Sequence, residues 1–238
     1  MKIKIQRDSK ISEYNIELKN PTLLQALNKI KTTQDPTLNF SSGCQSSVCG
    51  SCAVRVNGKE VLACSYKVEE NDLIEPLKNV PIIRDLVVNM DNAYTQNFKA
   101  KAWLSSPNSN AKLLHEDEKR NEIQSDCILC GSCYSACPVY SVNKEFLGPF
   151  ALTRVWKYVT DARELETSSK IDTIQKNGIW DCTLCNECTL VCPQGISSKA
   201  DIEKLRAKSA MAGYMDPNMS NFGGGFGFDG SFDGSPVF

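Results

Sequence analysis

The sequence predicts an α+β chain of two units, a strand-rich unit with one helix and a connecting helix, followed by an α-helical unit. Three observations carry the prediction. Apolar and polar residues alternate with period two in "KIKIQR" and "YNIEL" near the start. After about residue 110 the apolar spacing becomes helical, as in "ALTRVWKYVTDAREL". The twelve cysteines fall into three groups of four, one in the first unit and two in the second.

The elements of the first unit follow in order. "KIKIQR" and "YNIEL" read as two strands. "TLLQALNKI" follows Pro21, starts near Thr22 and sets Leu23, Leu24, Leu27 and Ile30 on one face, which predicts a helix. "SSGCQSSVCGSC" is a Gly- and Ser-rich loop whose small residues let backbone N–H groups approach sulfur. "AVRV" and "KEVLAC" flank Asn57-Gly58, the signature of a two-residue hairpin turn, which returns Cys64 toward the loop. "DLIEPL" reads as a further strand. "VPIIRDLVVNMDNAY" places Ile83, Leu86, Val87 and Met90 at i, i+3, i+4 and i+7, which predicts a connecting helix.

The polar stretch "SSPNSN" at 105–110 marks the expected boundary, giving units 1–104 and 105–215. In the second unit "NAKLLHEDEKRNEI" leads into the second cysteine group. Leu152, Val155, Trp156 and Val159 make a core-facing stripe. "TSSKIDTIQKN" reads as a helix stopped at Gly178, and "SSKADIEKLRAKSAMA" as a last helix capped by Ser197 or Ser198 and stopped at Gly213. From 216 to 238 the chain holds six of the fourteen glycines and five of the nine phenylalanines, a composition that predicts a flexible tail or a segment docking on a partner.

Composition excludes several classes. The formal net charge is −1 and no Lys/Arg block dominates, so nucleic-acid binding has little electrostatic support. No apolar run approaches the roughly 18 residues that span a bilayer, and "MKIKIQRDSK" lacks the apolar core of a signal peptide. Contact with a membrane is therefore expected through a partner. No nucleophile with a base, phosphate-binding glycine loop or paired carboxylates suggests a substrate site. His115, the only histidine, sits among Glu116, Asp117 and Glu118 and reads as a solvated residue.

The chemistry lies in the cysteines. Cys44, Cys49 and Cys52 follow C-x4-C-x2-C with Cys64 further on, the spacing of a plant-type [2Fe–2S] site. Cys127, Cys130, Cys133 and Cys137, and again Cys182, Cys185, Cys188 and Cys192, follow C-x2-C-x2-C-x3-C-P, the bacterial two-cluster run. Zinc sites usually pair two separated C-x2-C units, and disulfide frameworks belong to secreted chains, so iron is the expected metal. In two-cluster chains the fourth cysteine of each run crosses to the other cluster. Cluster A is thus assigned Cys127, Cys130, Cys133 and Cys192, and cluster B Cys182, Cys185, Cys188 and Cys137. Pro138 and Pro193 turn the chain after each crossing ligand. The expected cofactors are one [2Fe–2S] and two [4Fe–4S] clusters, with [3Fe–4S] the alternative for cluster B. The fold class sharpens to a plant-type ferredoxin (β-grasp) unit followed by an α-helical bacterial two-cluster ferredoxin unit.

In this order of parts the chain resembles, over about residues 1–212, the iron–sulfur subunit of succinate dehydrogenase and fumarate reductase. "CQSSVCGSCAVRVNGKEVLAC" is similar to that family's [2Fe–2S] segment, "IRDLVVNM" to its linker helix, and "CILCGSCYSACPVY" with "FLGPFAL" to its second cluster region. The resemblance implies electron transfer between a FAD-containing flavoprotein subunit and a membrane-side quinone-reactive subunit. It implies a peripheral place on the cytoplasmic face of the inner membrane, or on the periplasmic side if a partner carries the chain there. Three departures stand out. The family commonly has a non-cysteine at the position of Cys185, so its presence favours [4Fe–4S] in cluster B. "PVYSVNKEF" lacks the tryptophan common after the second run, and Thr183 stands where a histidine often follows the first cysteine of the third. These departures favour the unconventional branch, whose membrane-side partner resembles heterodisulfide reductase. The competing expectations are a thiol-linked fumarate reductase or other flavin oxidoreductase, and a freestanding ferredoxin-like carrier.

Overall fold

A computed structural model describes residues 1–217. The tail expected from 216 lies, from 218 on, outside the described residues.

The chain opens with β1 (Lys2–Arg7) and β2 (Lys10–Asn15), joined by a tight turn at Asp8 so that Arg7 pairs with Lys10. The second strand starts earlier than "YNIEL" suggests, because this turn begins pairing at once. The Ile16 N–H still donates to the Met1 carbonyl at 2.8 Å, and the chain then leaves the ladder. Helix α1 (Leu23–Thr33) carries the expected cap: Thr22 Oγ1 accepts from the Gln25 N–H while the Gln25 side chain accepts from the Thr22 N–H. Its face of Leu23, Leu24, Leu27 and Ile30 is buried. Strands β3 (Ala53–Val56) and β4 (Lys59–Leu62) form the expected hairpin, with Asn57 at φ 50° and Gly58 at φ 83°, the two left-handed positions of a type I′ turn. Strand β5 (Leu73–Glu75) pairs parallel with β1 and antiparallel with β3. The sheet order β2-β1-β5-β3-β4, with α1 packed on Ile3, Ile5, Val54 and Ile74, is the mixed sheet of a β-grasp unit.

The connecting helix over 80–94 is not what forms. Ile82–Arg84 is β6 and Val87–Val88 is β7, an antiparallel pair, and only Asp91–Lys99 is helical, as α2. "IRDLVVNM" is therefore not a helix either. The β-branched run favours extended backbone. Asp85 decides the matter: it turns at φ 51°, and its buried carboxylate accepts from Arg7 Nε at 2.9 Å and from the Asn39 N–H at 2.8 Å.

The rest is helical: α3 (His115–Lys119), α4 (Glu122–Ser125), α5 (Ser132–Ala136), α6 (Pro138–Val142), α7 (Pro149–Val159), α8 (Thr167–Thr173), a 3-10 turn at Ile179–Asp181, α9 (Glu187–Leu190) and α10 (Ser198–Met211). Leu152, Val155 and Val159 of α7 are buried as their stripe predicts, and α10 packs on α7 through Ile202 and Leu205. Ala93, Ala100 and Ala102 join this second core, so α2 packs with the helices. Polar contacts tie the two units. Asn79 Nδ2 donates to the Tyr134, Ser135 and Cys137 carbonyls, and Ser135 Oγ donates to Glu60 at 2.7 Å. Among the described residues no helix is long and apolar enough to cross a membrane.

Candidate cluster-binding site

The first sulfur set is built by backbone. The loop after Ser42 takes left-handed turns at Gln45 and Ser47, which turn successive N–H groups inward. Cys44 Sγ accepts from the N–H of Ser46 (3.4 Å), Val48 (3.3 Å) and Cys49 (3.3 Å), while Cys64 Sγ accepts from the Ser47 N–H at 3.3 Å. The Ser46 N–H, then its side chain and the Val48 and Cys49 N–H groups, draw the Cys44 thiol down to about 6. Cys52 lies at the inner edge, and burial pushes it up to about 11. Cys44 and Cys49 are exposed, so this set faces the outside of the chain.

The other two runs share one backbone pattern. Leu129 and Gly131 turn at φ 53° and 82°, and Leu184 and Asn186 at 55° and 73°, in the same places of the two motifs. Each left-handed pair wraps the chain around its first three cysteines and launches a short helix, α5 or α9. The fourth cysteine then starts or precedes another: Cys137 caps α6, accepting from the Tyr140 N–H at 3.4 Å, with Pro138 at the first helical position. Cys192 accepts from the Ile196 N–H at 3.4 Å before α10.

The resulting cavities are lined in crossed fashion. One is lined by Cys127, Cys130 and Cys133 with Cys192, and walled by Phe150 and Ile196. The other is lined by Cys182, Cys185 and Cys188 with Cys137, and walled by Phe146 and Ile202. In each cavity four sulfurs line one shared space, the layout of a group they surround. Burial pushes Cys127, Cys130, Cys137 and Cys182 up, Cys133 well up, and Cys188 to about 12. Thiols so placed hold their protons until metal displaces them, which makes assembly release protons. The donor set, the N–H groups aimed at sulfur and the apolar walls fit iron–sulfur clusters at all three places.

The sequence missed several supporting residues. Arg206 Nε donates to the Ile179 carbonyl at 2.9 Å and its Nη2 to the Cys182 carbonyl at 2.6 Å, bringing positive charge that opposes the rise of the Cys182 thiol. Arg154 does the same at Cys127. Both lie on helices whose sequence shows only a core stripe and a capped end. His115 is exposed, 3.9 Å from Glu118, and lines neither of the two inner cavities.

Comparison with known proteins places iron–sulfur domains over both units. The family model described as a 2Fe-2S iron-sulfur cluster binding domain matches residues 2–95, and that described as a 4Fe-4S dicluster domain matches residues 123–196. The chain is 38% identical over 218 residues to the 8-methylmenaquinol:fumarate reductase iron-sulfur subunit of Wolinella succinogenes, covering 85% of this chain and 68% of that one. It is 34% identical to the fumarate reductase iron-sulfur subunit of Haemophilus influenzae, covering 87% and 89% of the two. It is 32% identical to a mitochondrial succinate dehydrogenase iron-sulfur subunit of rice, covering 82% and 74%. In structure it matches a chain of the Mycobacterium smegmatis Sdh1 complex, solved in the apo form. The TM-score is 0.81 and the identity 24%, over 91% of this chain and 98% of that one, a likeness of fold.

Proposed function

The chain belongs to the iron–sulfur subunits of succinate dehydrogenase and fumarate reductase, and from that premise we propose that it joins a FAD-containing succinate/fumarate subunit to a membrane-side, quinone-reactive subunit. The crossed lining of the two inner cavities supports this reading most strongly, because it makes one continuous unit of two sulfur sets.

The first set, Cys44, Cys49, Cys52 and Cys64, would hold [2Fe–2S]; Cys127, Cys130, Cys133 and Cys192 would hold cluster A; Cys137, Cys182, Cys185 and Cys188 would hold cluster B. When bound, such clusters take up and release single electrons. The residues of this chain supply the rest. The Ser46, Val48 and Cys49 N–H groups stabilise negative charge at Cys44. Phe146, Phe150, Ile196 and Ile202 keep water from the inner sets. Arg154 and Arg206 offset negative charge at Cys127 and Cys182. Cys137 and Cys192 each tie one motif to the other.

Cys185 completes four thiolates around the last cavity, which supports [4Fe–4S] in cluster B. With Thr183 and the tryptophan-free "PVYSVNKEF", it also supports the branch with a heterodisulfide-reductase-like partner. The units are read as 1–104 and 105–215, and the chain as peripheral, on the cytoplasmic face of the inner membrane unless a partner's signal exports it.

The test is low-temperature EPR on the native complex, air-oxidised and then given succinate. The expected result is a silent oxidised sample that gains a [2Fe–2S] signal. A response to dithionite but not to succinate would overturn the flavoprotein assignment.

A further inference from the structure

We propose that Gly50 and Gln194 are positioning residues that hold the first sulfur set against the set of Cys127, Cys130, Cys133 and Cys192. This rests on the reading of those sets as cluster ligands and says how the chain connects them.

Two contacts make the seam. Gly50, between Cys49 and Cys52, turns at φ 72° with its Cα pressed on the second motif. A Cβ placed there would lie 2.8 Å from Cys130 Cβ, 3.0 Å from Cys130 Cα and 3.0 Å from the Ile128 carbonyl oxygen. On the other side, Gln194 Nε2 donates to the Ser47 carbonyl at 3.1 Å. Ser47 in turn gives its N–H to Cys64 Sγ, and Gln194 follows Cys192 by two residues. Each contact therefore joins a residue bonded or hydrogen-bonded to one set with a residue in or next to the other. The rate of single-electron transfer falls steeply with the gap between centres and is greatest through packed, bonded paths. The path from Cys49 through Gly50 to Cys130 has one non-bonded step. Only glycine permits it, since the colliding atoms are backbone and Cβ atoms that cannot rotate away.

The experiment uses the purified complex carrying Gly50→Ala, Gln194→Leu or Gly58→Ala. Gly58 shares the left-handed backbone at φ 83°, so alanine is strained there too, but its Cβ would meet nothing nearer than Arg55 Nη2 at 3.7 Å. Iron and sulfide content is measured first. The magnetic interaction of the reduced [2Fe–2S] signal with cluster A is then read from its spin relaxation. Gly50→Ala and Gln194→Leu are expected to keep their iron, weaken that interaction and slow electron transfer out of the first set, while Gly58→Ala leaves the interaction unchanged. Unchanged relaxation in Gln194→Leu and in an iron-replete Gly50→Ala would overturn the proposal; if Gly50→Ala loses its first cluster, unchanged relaxation in Gln194→Leu alone overturns it. Absence of three clusters in the unmutated complex would instead sink the reading on which it rests.

Discussion

Lys170 Nζ lies 3.1 Å from Glu164 Oε2, and both side chains are wholly removed from solvent. Lys170 also donates to the Lys101 carbonyl at 3.0 Å, to the Trp103 carbonyl, and to Ser105 Oγ at 2.9 Å. Glu164 accepts from the N–H groups of Ser105 (2.9 Å), Ser106 (3.1 Å) and Glu166 (3.1 Å). The pair thus fastens the segment between the two units onto α8.

Lys170→Met is expected to be strongly destabilising, by about 3–5 kcal/mol, because it strands a buried carboxylate. Burial raises the Glu164 pKa, but the Ser105 and Glu166 N–H groups and Lys170 outweigh it and hold the group below its usual value. A lowered carboxyl contributes stability above its unfolded pKa and loses it as pH falls through the folded one. Without Lys170 the folded value rises, so the acid limb of the melting curve should move to higher pH. An unchanged melting temperature at pH 7 would show that the pair contributes nothing net.

The cysteine sets, α1 with its Thr22 cap, the Asn57-Gly58 hairpin and α10 were all legible, because each is specified by residues close in sequence. The failures share a cause. Ile83, Leu86, Val87 and Met90 mimic a helical stripe, yet Asp85 is fixed by Arg7, 78 residues away, which no local pattern reveals. Gln194 reaches Ser47 across 147 residues, and Gly50 looks like any loop glycine until Cys130 is seen against it. Spacing showed which cysteines form motifs. The carbonyls, arginines and N–H groups around them come from elements that meet only in the fold.

Asp201 behaves in the opposite sense to Glu164. It is buried in the first turn of α10, and its Oδ1 accepts from Gln124 Nε2 at 2.8 Å, but Oδ2 has no hydrogen-bond partner. Burial raises its pKa to about 6 from 3.8, opposed by Gln124, Lys204 and, least, the Thr153 hydroxyl, whose oxygen also lacks a well-formed bond. The folded chain therefore holds a proton that the unfolded chain gives up, and stability falls as pH rises from 3.8 through about 6. Asp201→Asn keeps the acceptor for Gln124 and removes the charge. It should stabilise the protein by about 1–3 kcal/mol at pH 8 and match the unmutated chain below about pH 4. A lower unfolding midpoint than the unmutated chain at pH 8 would refute this.

Cys137 tests the crossed assignment. It stands in the second motif but lines the cavity of the third. Cys137→Ala should damage cluster B more than cluster A, read as iron content and as separate Mössbauer and EPR signatures. Loss confined to cluster A would mean that each motif keeps its own fourth cysteine. Cys192→Ala should give the mirror result, since Cys192 lines the cavity of Cys127, Cys130 and Cys133.

Cys185 differs from its neighbours in where it sits. It is exposed at the rim of the last cavity, between the left-handed Leu184 and Asn186, whereas Cys137 and Cys188 are buried and Cys182 is half-buried. Removing a rim thiol leaves three inner sulfurs and opens no hole in the core. The turn around Cys182 stays braced, because Arg206 bonds to the Ile179, Trp180 and Cys182 carbonyls and not to Cys185. Cys185→Ala should therefore keep the fold and cluster A while cluster B loses one iron, giving a paramagnetic [3Fe–4S] signal in the oxidised sample. Cys188→Ala, which removes the sulfur of a buried residue only 7% exposed, should instead cost the whole cluster and lower the melting temperature. Loss of cluster A in Cys185→Ala would refute the assignment of Cys185. A [3Fe–4S] signal already present in the intact, unmutated complex would show that Cys185 is not a ligand at all.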